Sequence, residues 1–123
     1  MWRMMLLTGF GGFIGTCCRF LVNRLFALFY KAPFPLATFL INIVGCLLFG
    51  LIVGWLNRYG MVNQKVYSFL IVGFCGGFTT FSTFSFESLK LMGNGEMLVS
   101  FSYMGLSVLI GLFATWIGLN LTN

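Results

Sequence analysis

Four apolar stretches, each long enough to cross a bilayer, constrain this chain more than any other feature. They run from Met4 to about Tyr30, about Pro35 to Leu56, about Val66 to Leu91, and Met97 to Leu119. At ~1.5 Å of rise per helical residue, each covers the ~30 Å of hydrocarbon in a bilayer. Of the 123 residues only 7% are charged, against roughly 25% in soluble domains, too few to cover a water-facing surface. The expected architecture is an all-α membrane protein, a single domain over residues 1–123 with four transmembrane helices.

The links between stretches are short and polar: Lys31-Ala32-Pro33, Asn57 to Lys65, and Gly93-Asn94-Gly95-Glu96. Short links predict that sequential helices are antiparallel neighbours. Four spans then return both termini to one side, here side A. Trp2, Trp55 and Trp116 all fall at side-A ends of spans, where amphipathic rings prefer the headgroup level. Arg19, Asn23 and Arg24 follow the first apolar run where a leader would carry small residues at a cleavage site, so that run is expected to be a span. The net charge of +5 is dispersed in ones and twos at span ends, which suits a lipid bilayer and not nucleic acid. The four cysteines, Cys17, Cys18, Cys46 and Cys75, have no metal-site spacing, and the chain has no histidine. They read as small buried packing residues.

Basic residues fix the orientation of membrane proteins through their bias to one side. Side A carries Arg3, Arg58 and Lys65; side B carries Arg19, Arg24, Lys31 and Lys90. Three against four is almost no bias, so the chain is expected to insert both ways and to work as an antiparallel, dual-topology homodimer. Small-xxx-small pairs, Gly11 with Gly15 and Gly50 with Gly54, predict close helix contacts in lipid.

The centre of the third stretch reads Gly73-Phe74-Cys75-Gly76-Gly77-Phe78-Thr79-Thr80-Phe81-Ser82-Thr83-Phe84-Ser85. Paired glycines followed by paired threonines are poor helix material, and a break is expected near Gly76 to Thr80. Broken helices at mid-membrane persist where the freed backbone lines a cavity, and they mark ion sites. Free carbonyls there can ligate a cation. In an antiparallel dimer two such breaks would meet on the symmetry axis, giving a central cation held by both chains. Beyond the break, Phe81 and Phe84 share a helix face, and their positive ring edges can stabilise an anion without a formal charge.

Asn42, Phe84 and Tyr103 each lie six or seven residues from a side-B span end, about 10 Å deep at ~1.5 Å per residue. Ser107 is one turn deeper on the face of Tyr103. A carboxamide, a phenol, hydroxyls (including those of Thr80 and Thr83) and ring edges thus share one level. Conduction needs binding weak enough to release, and neutral donors suit an anion that must keep moving. On the side-B flank Arg19, Arg24 and Glu87 admit two readings: an ion pair at a pore mouth, or snorkelling to headgroups. A proton-coupled efflux pump needs a membrane-embedded acid, and only Glu87, near a span end, is available. With no histidine and only Glu87 and Glu96 as acidic side chains, enzymatic acid–base chemistry lacks candidates.

Three segments together resemble the Fluc/CrcB fluoride channels. Gly11-Gly12-Phe13-Ile14-Gly15-Thr16-Cys17-Cys18-Arg19-Phe20 resembles the first-span motif GGxxGAxxRY, Asn42-Ile43-Val44-Gly45 the second-span motif, and Gly73 to Phe84 the third-span signature GFCGGxTTFSTF. Thr16 stands where that family usually has alanine, and Phe20 where it has tyrosine. The resemblance implies a fluoride-selective channel of the bacterial inner membrane, exporting fluoride passively through two pores of an antiparallel homodimer. It implies that Phe81, Phe84 and Asn42 line the fluoride pathways and that Tyr103 and Ser107 belong to a polar track on the fourth helix. It further implies that the carbonyls of Gly76 and Thr79 hold a central structural sodium ion.

Overall fold

The computed structural model describes residues 1–60 and 63–123. Its elements are α1 (Trp2–Phe29), α2 (Leu36–Arg58), a short α3 (Gln64–Val66), a π-helical segment (Tyr67–Cys75), α4 (Gly76–Phe78), α5 (Phe81–Gly93) and α6 (Met97–Thr122). Among the described residues, four helical runs are long and apolar enough to cross a membrane: α1, α2, the composite third run Gln64–Gly93, and α6. These runs lie over the four apolar stretches and extend two or three residues further at some ends. The predicted link from Asn57 to Lys65 includes positions 61 and 62, which lie outside the described residues.

The turn between α5 and α6 follows from one glycine. Gly95 takes φ 81°, a left-handed conformation that costs a side chain but not glycine. Its N–H donates to the Met92 carbonyl at 3.1 Å and the Glu96 N–H to that of Leu91 at 2.8 Å. This is a Schellman closure, which satisfies the carbonyls a helix leaves orphaned at its end.

Sequential helices are not the most intimate neighbours, contrary to the expectation from short links. The deepest packing pairs α2 with α6 and α1 with the third run, whereas α1 and α2 share little surface. Glycine decides these pairs. A Cβ at Gly11 would strike the Phe69 carbonyl, one at Gly15 the Phe74 carbonyl, and one at Gly77 the Gly12 carbonyl. In the second pair a Cβ at Gly50 would meet the Thr115 carbonyl and one at Gly54 the Thr122 hydroxyl. Both small-xxx-small pairs therefore act as seams where backbones touch. Thr115 and Thr122 add hydroxyl bonds to the Cys46 and Leu51 carbonyls across the α2–α6 seam, at 3.2 and 2.8 Å. Such interhelical bonds are worth about 0.6 kcal/mol each on average.

The fully buried side chains are few, Tyr103 and Ile41 the largest, while Phe13, Phe20, Leu28, Leu98 and Leu109 stand exposed. The chain thus presents apolar side chains outward, as lipid requires. Of the cysteines read as buried, only Cys75 is; Cys17 is exposed on α1, and Cys18 and Cys46 are half-buried.

Candidate functional site: a broken helix facing an uncharged groove

The third run comes apart at two residues. Thr79 (φ −81°, ψ 158°) and Thr80 (φ −147°, ψ 124°) are extended, with α4 ending at Phe78 and α5 beginning at Phe81. The break was expected to start at Gly76, but Gly76 and Gly77 remain helical. Gly77 serves close approach to the Gly12 backbone and does not unwind the helix.

Asn42 holds the break open. Its Nδ2 donates to the Thr80 carbonyl at 3.0 Å, and its Oδ1 accepts the Thr80 N–H at 2.9 Å. One carboxamide therefore bonds both the N–H and the C=O of a single residue, Thr80, at the break. Thr80 in turn caps α5: its Oγ1 accepts the Thr83 N–H at 3.2 Å and bonds the Thr83 hydroxyl at 3.2 Å. An N-cap hydroxyl typically contributes ~1 kcal/mol.

These bonds have a consequence for the carbonyls. In an unbroken helix the Gly76 carbonyl would accept from Thr80 N–H, and the Thr79 carbonyl from Thr83 N–H. Both donors are engaged elsewhere, by Asn42 and by the Thr80 hydroxyl. These two carbonyls, which the resemblance implies for sodium, are thus among those that the break deprives of helical donors, with those of Gly77 and Phe78. Backbone carbonyls are hard oxygen ligands, and unwound carbonyls coordinate sodium in broken transmembrane helices. The donor set fits such a cation.

A groove of about 700 Å³ runs along the break, with Asn42, Thr79, Thr80, Phe81, Phe84 and Ser107 in its wall and no charged side chain among its lining. The Ser107 hydroxyl is buried and has no hydrogen-bond partner among the described residues. Phe81 is 78% exposed in the single chain. The rings of Phe81 and Phe84 lie 5.8 Å apart at 39°, and Phe84 packs on Tyr103 at 5.1 Å and 53°. Phe84 and Tyr103, expected at one level, are thus in contact. Tilted ring stacks present edges as well as faces, and edges carry the positive part of the quadrupole.

Not every expected residue meets the groove. Tyr103 is fully buried, and its hydroxyl donates to Glu87 Oε1 at 3.2 Å. Thr83 is spent on the cap. Glu87 faces a second cavity of about 520 Å³ at the side-B end, shared with Lys90, Glu96 and Asn23. Arg19 departs furthest from expectation. It was placed on the side-B flank, yet its Nε donates to the Gly77 carbonyl at 3.1 Å, beside the break. Arg19 lies ten residues before the end of α1 at Phe29, about 15 Å at ~1.5 Å per residue, so it belongs to mid-membrane. Arg24 is exposed on α1. Among the described residues no ion pair joins Glu87 to either arginine, because Arg19 and Glu87 are held at different depths. Sequence reasoning missed the Arg19 contact. The available signal was an arginine inside an apolar run, three residues after the hydroxyl of Thr16.

Comparison with known proteins agrees with this geometry. The family model described as CrcB-like protein, Camphor Resistance (CrcB), matches residues 6–119. A protein of Flavobacterium psychrophilum named fluoride-specific ion channel FluC is 45% identical over 109 residues, covering 89% of this chain and 88% of its own. The FluC protein of Pseudomonas fluorescens strain SBW25 is 42% identical over 123 residues, covering 100% of this chain and 99% of its own. That of Azobacteroides pseudotrichonymphae is 38% identical over 123 residues, at 100% and 98% coverage. With its four apolar spans and its groove at a break in the third, the chain belongs to the CrcB-like family.

Proposed function

We propose that this chain forms a fluoride-selective channel, conducting passively through two pores of an antiparallel homodimer with a structural sodium ion at its centre. The observation that carries the reading is the uncharged groove, where an unpartnered buried hydroxyl and two phenylalanine rings face a broken helix. The names of the FluC relatives support the ion; the groove supports the manner of transport.

Fluoride holds its water tightly, so a pathway must offer replacement donors without a charge that traps the ion. Ser107 has a free hydroxyl proton to offer. Asn42 keeps one amide proton beyond the one given to Thr80. Phe81 and Phe84 supply ring edges between these donors. A lysine or arginine in the groove would bind more strongly and release more slowly. The freed carbonyls of Gly76 and Thr79 give a sodium ion its ligands, and its charge, when bound, holds the two protomers' breaks together. In this reading Arg24 and Glu87 lie at the approach on side B, and the inner membrane of a bacterium is the site of action.

Efflux from liposomes holding purified protein tests the proposal. Rapid fluoride loss with chloride retained is the expected result. Equal leak of both anions, or no leak of either, overturns it.

A further inference from the structure

Arg19 and Thr16 do more than pack α1 against its neighbour. They lie three residues apart, on one face of α1, and both donate to a single oxygen. Arg19 Nε reaches the Gly77 carbonyl at 3.1 Å and the Thr16 hydroxyl reaches it at 3.4 Å. The glycine seam makes this possible. Gly12 and Gly77 touch backbone to backbone, as do Gly15 and the stretch Phe74–Phe78, so even a short threonine side chain spans the gap.

The Gly77 carbonyl needs these donors. Its helical partner would be the N–H of Phe81, which lies past the extended pair Thr79–Thr80. It is therefore an orphan carbonyl at the C-terminal end of the half-helix Gln64–Phe78, in a medium where water cannot serve it. That end is also the negative pole of the half-helix, where a cation is favoured.

We infer that Arg19 and Thr16 form a two-donor clamp on the Gly77 carbonyl, and that this clamp is a positioning device for the break. The clamp divides the orphan carbonyls. Gly77 is turned toward α1 and satisfied there, which removes it from the orphan set and leaves those of Gly76 and Thr79, with that of Phe78, free of the α1 donors. Arg19 acts on conduction through the backbone of the third run and not by attracting anions. Thr16 belongs to this chain's own sequence, where the resembled motif carries alanine, and supplies the weaker second bond. The functional part of the inference rests on the proposed fluoride conduction; the structural part does not.

The test has two readouts. The first is amide hydrogen exchange across Gly76–Phe84 in the full-length protein. Arg19→Met removes a charged donor and should speed exchange roughly tenfold or more, while Thr16→Val should speed it about two- to tenfold. Thr16→Ser keeps the hydroxyl and should exchange like the parent. Because two donors share one acceptor, Arg19→Met with Thr16→Val should exceed the product of the single effects. Arg19→Lys keeps the charge but loses the planar Nε–H donor, and should follow Arg19→Met. The second readout is fluoride efflux against fluoride concentration. Arg19→Met, Arg19→Lys and Thr16→Val should lower the maximal rate and leave the half-saturating concentration in place. Independent single effects, unchanged exchange at the break, or full rescue by Arg19→Lys would overturn the clamp. So would a raised half-saturating concentration that depends on ionic strength, the mark of an anion attractor. A parent protein that conducts no fluoride would defeat the proposed function alone, and the exchange measurement would still decide the clamp.

Discussion

The most exacting residue in the molecule is Asn42, because one side chain bonds both backbone polar groups of Thr80. Asn42→Leu removes both bonds and leaves an N–H and a C=O unpaired inside the membrane, each costing about 1–3 kcal/mol. The variant should lose about 2–4 kcal/mol of stability, seen as a lower unfolding temperature in detergent, and its fluoride efflux should collapse with it. Phe81 and Phe84 are different, since neither anchors the backbone. Replacing either by isoleucine keeps the apolar volume and removes the ring edge. Phe81→Ile or Phe84→Ile should lower fluoride efflux by roughly tenfold, the equivalent of ~1.4 kcal/mol in barrier, while the protein elutes as the same oligomer. Near-normal flux in both would refute the role assigned to the rings. The importance of Asn42 was legible in the sequence, as a carboxamide at the depth of Phe84. What it holds was not, because Thr80 lies 38 residues away and its N–H is unpaired only once the helix has opened.

Among the elements, the α1 seam shows how a repeated residue divides into different duties. Gly12 and Gly15 are three positions apart on one helix, yet a Cβ at Gly15 would collide with the Phe74 carbonyl and Phe78 N, whereas one at Gly12 finds its nearest neighbour, the Gly73 carbonyl, at 3.7 Å. Gly15→Ala should therefore push α1 away from the third run and destabilise by about 1–3 kcal/mol, the usual cost of overpacking. Gly12→Ala should be neutral or stabilise by up to about 1 kcal/mol through helix propensity. Thermal unfolding of the two variants side by side checks this; equal losses would mean that the seam is not the close contact described. The spacing of these glycines was readable in advance, and so was the break, which two adjacent threonines announce. The π-helical segment Tyr67–Cys75 was not. Its residues, Tyr-Ser-Phe-Leu-Ile-Val-Gly-Phe-Cys, have the composition of any transmembrane α-helix, and a wider turn is a matter of hydrogen-bond register that hydrophobicity does not encode. The pairing of α1 with the third run was hidden for a related reason. Link lengths report which helices follow one another, but glycine seams decide which of them touch.

For the whole molecule, the position of Arg19 alters the orientation argument. Counted by span ends, side B held four basic residues against three. With Arg19 bonded to Gly77 at mid-membrane, side B retains Arg24, Lys31 and Lys90 against Arg3, Arg58 and Lys65. A balance of three against three leaves the positive-inside rule nothing to act on, which is the charge pattern that the proposed antiparallel pair calls for. Dual insertion is also what an antiparallel pair requires, since one gene product must supply both orientations. The prediction is a matter of dose. Asn120→Lys with Asn123→Lys adds two positive charges to side A, and Gly93→Lys with Asn94→Lys adds two to side B. Each double variant alone should insert predominantly one way, detected by an impermeant maleimide on a cysteine placed at Glu96 and applied to intact and then to opened cells. Each should lose most of its fluoride resistance when expressed singly, because parallel copies cannot bring two breaks together at one depth across a two-fold axis in the membrane plane. Expressed together, the two should recover it. A biased variant that conducts fully by itself, while its labelling is one-sided, would remove the antiparallel dimer from the proposal and leave each groove to work within a single orientation.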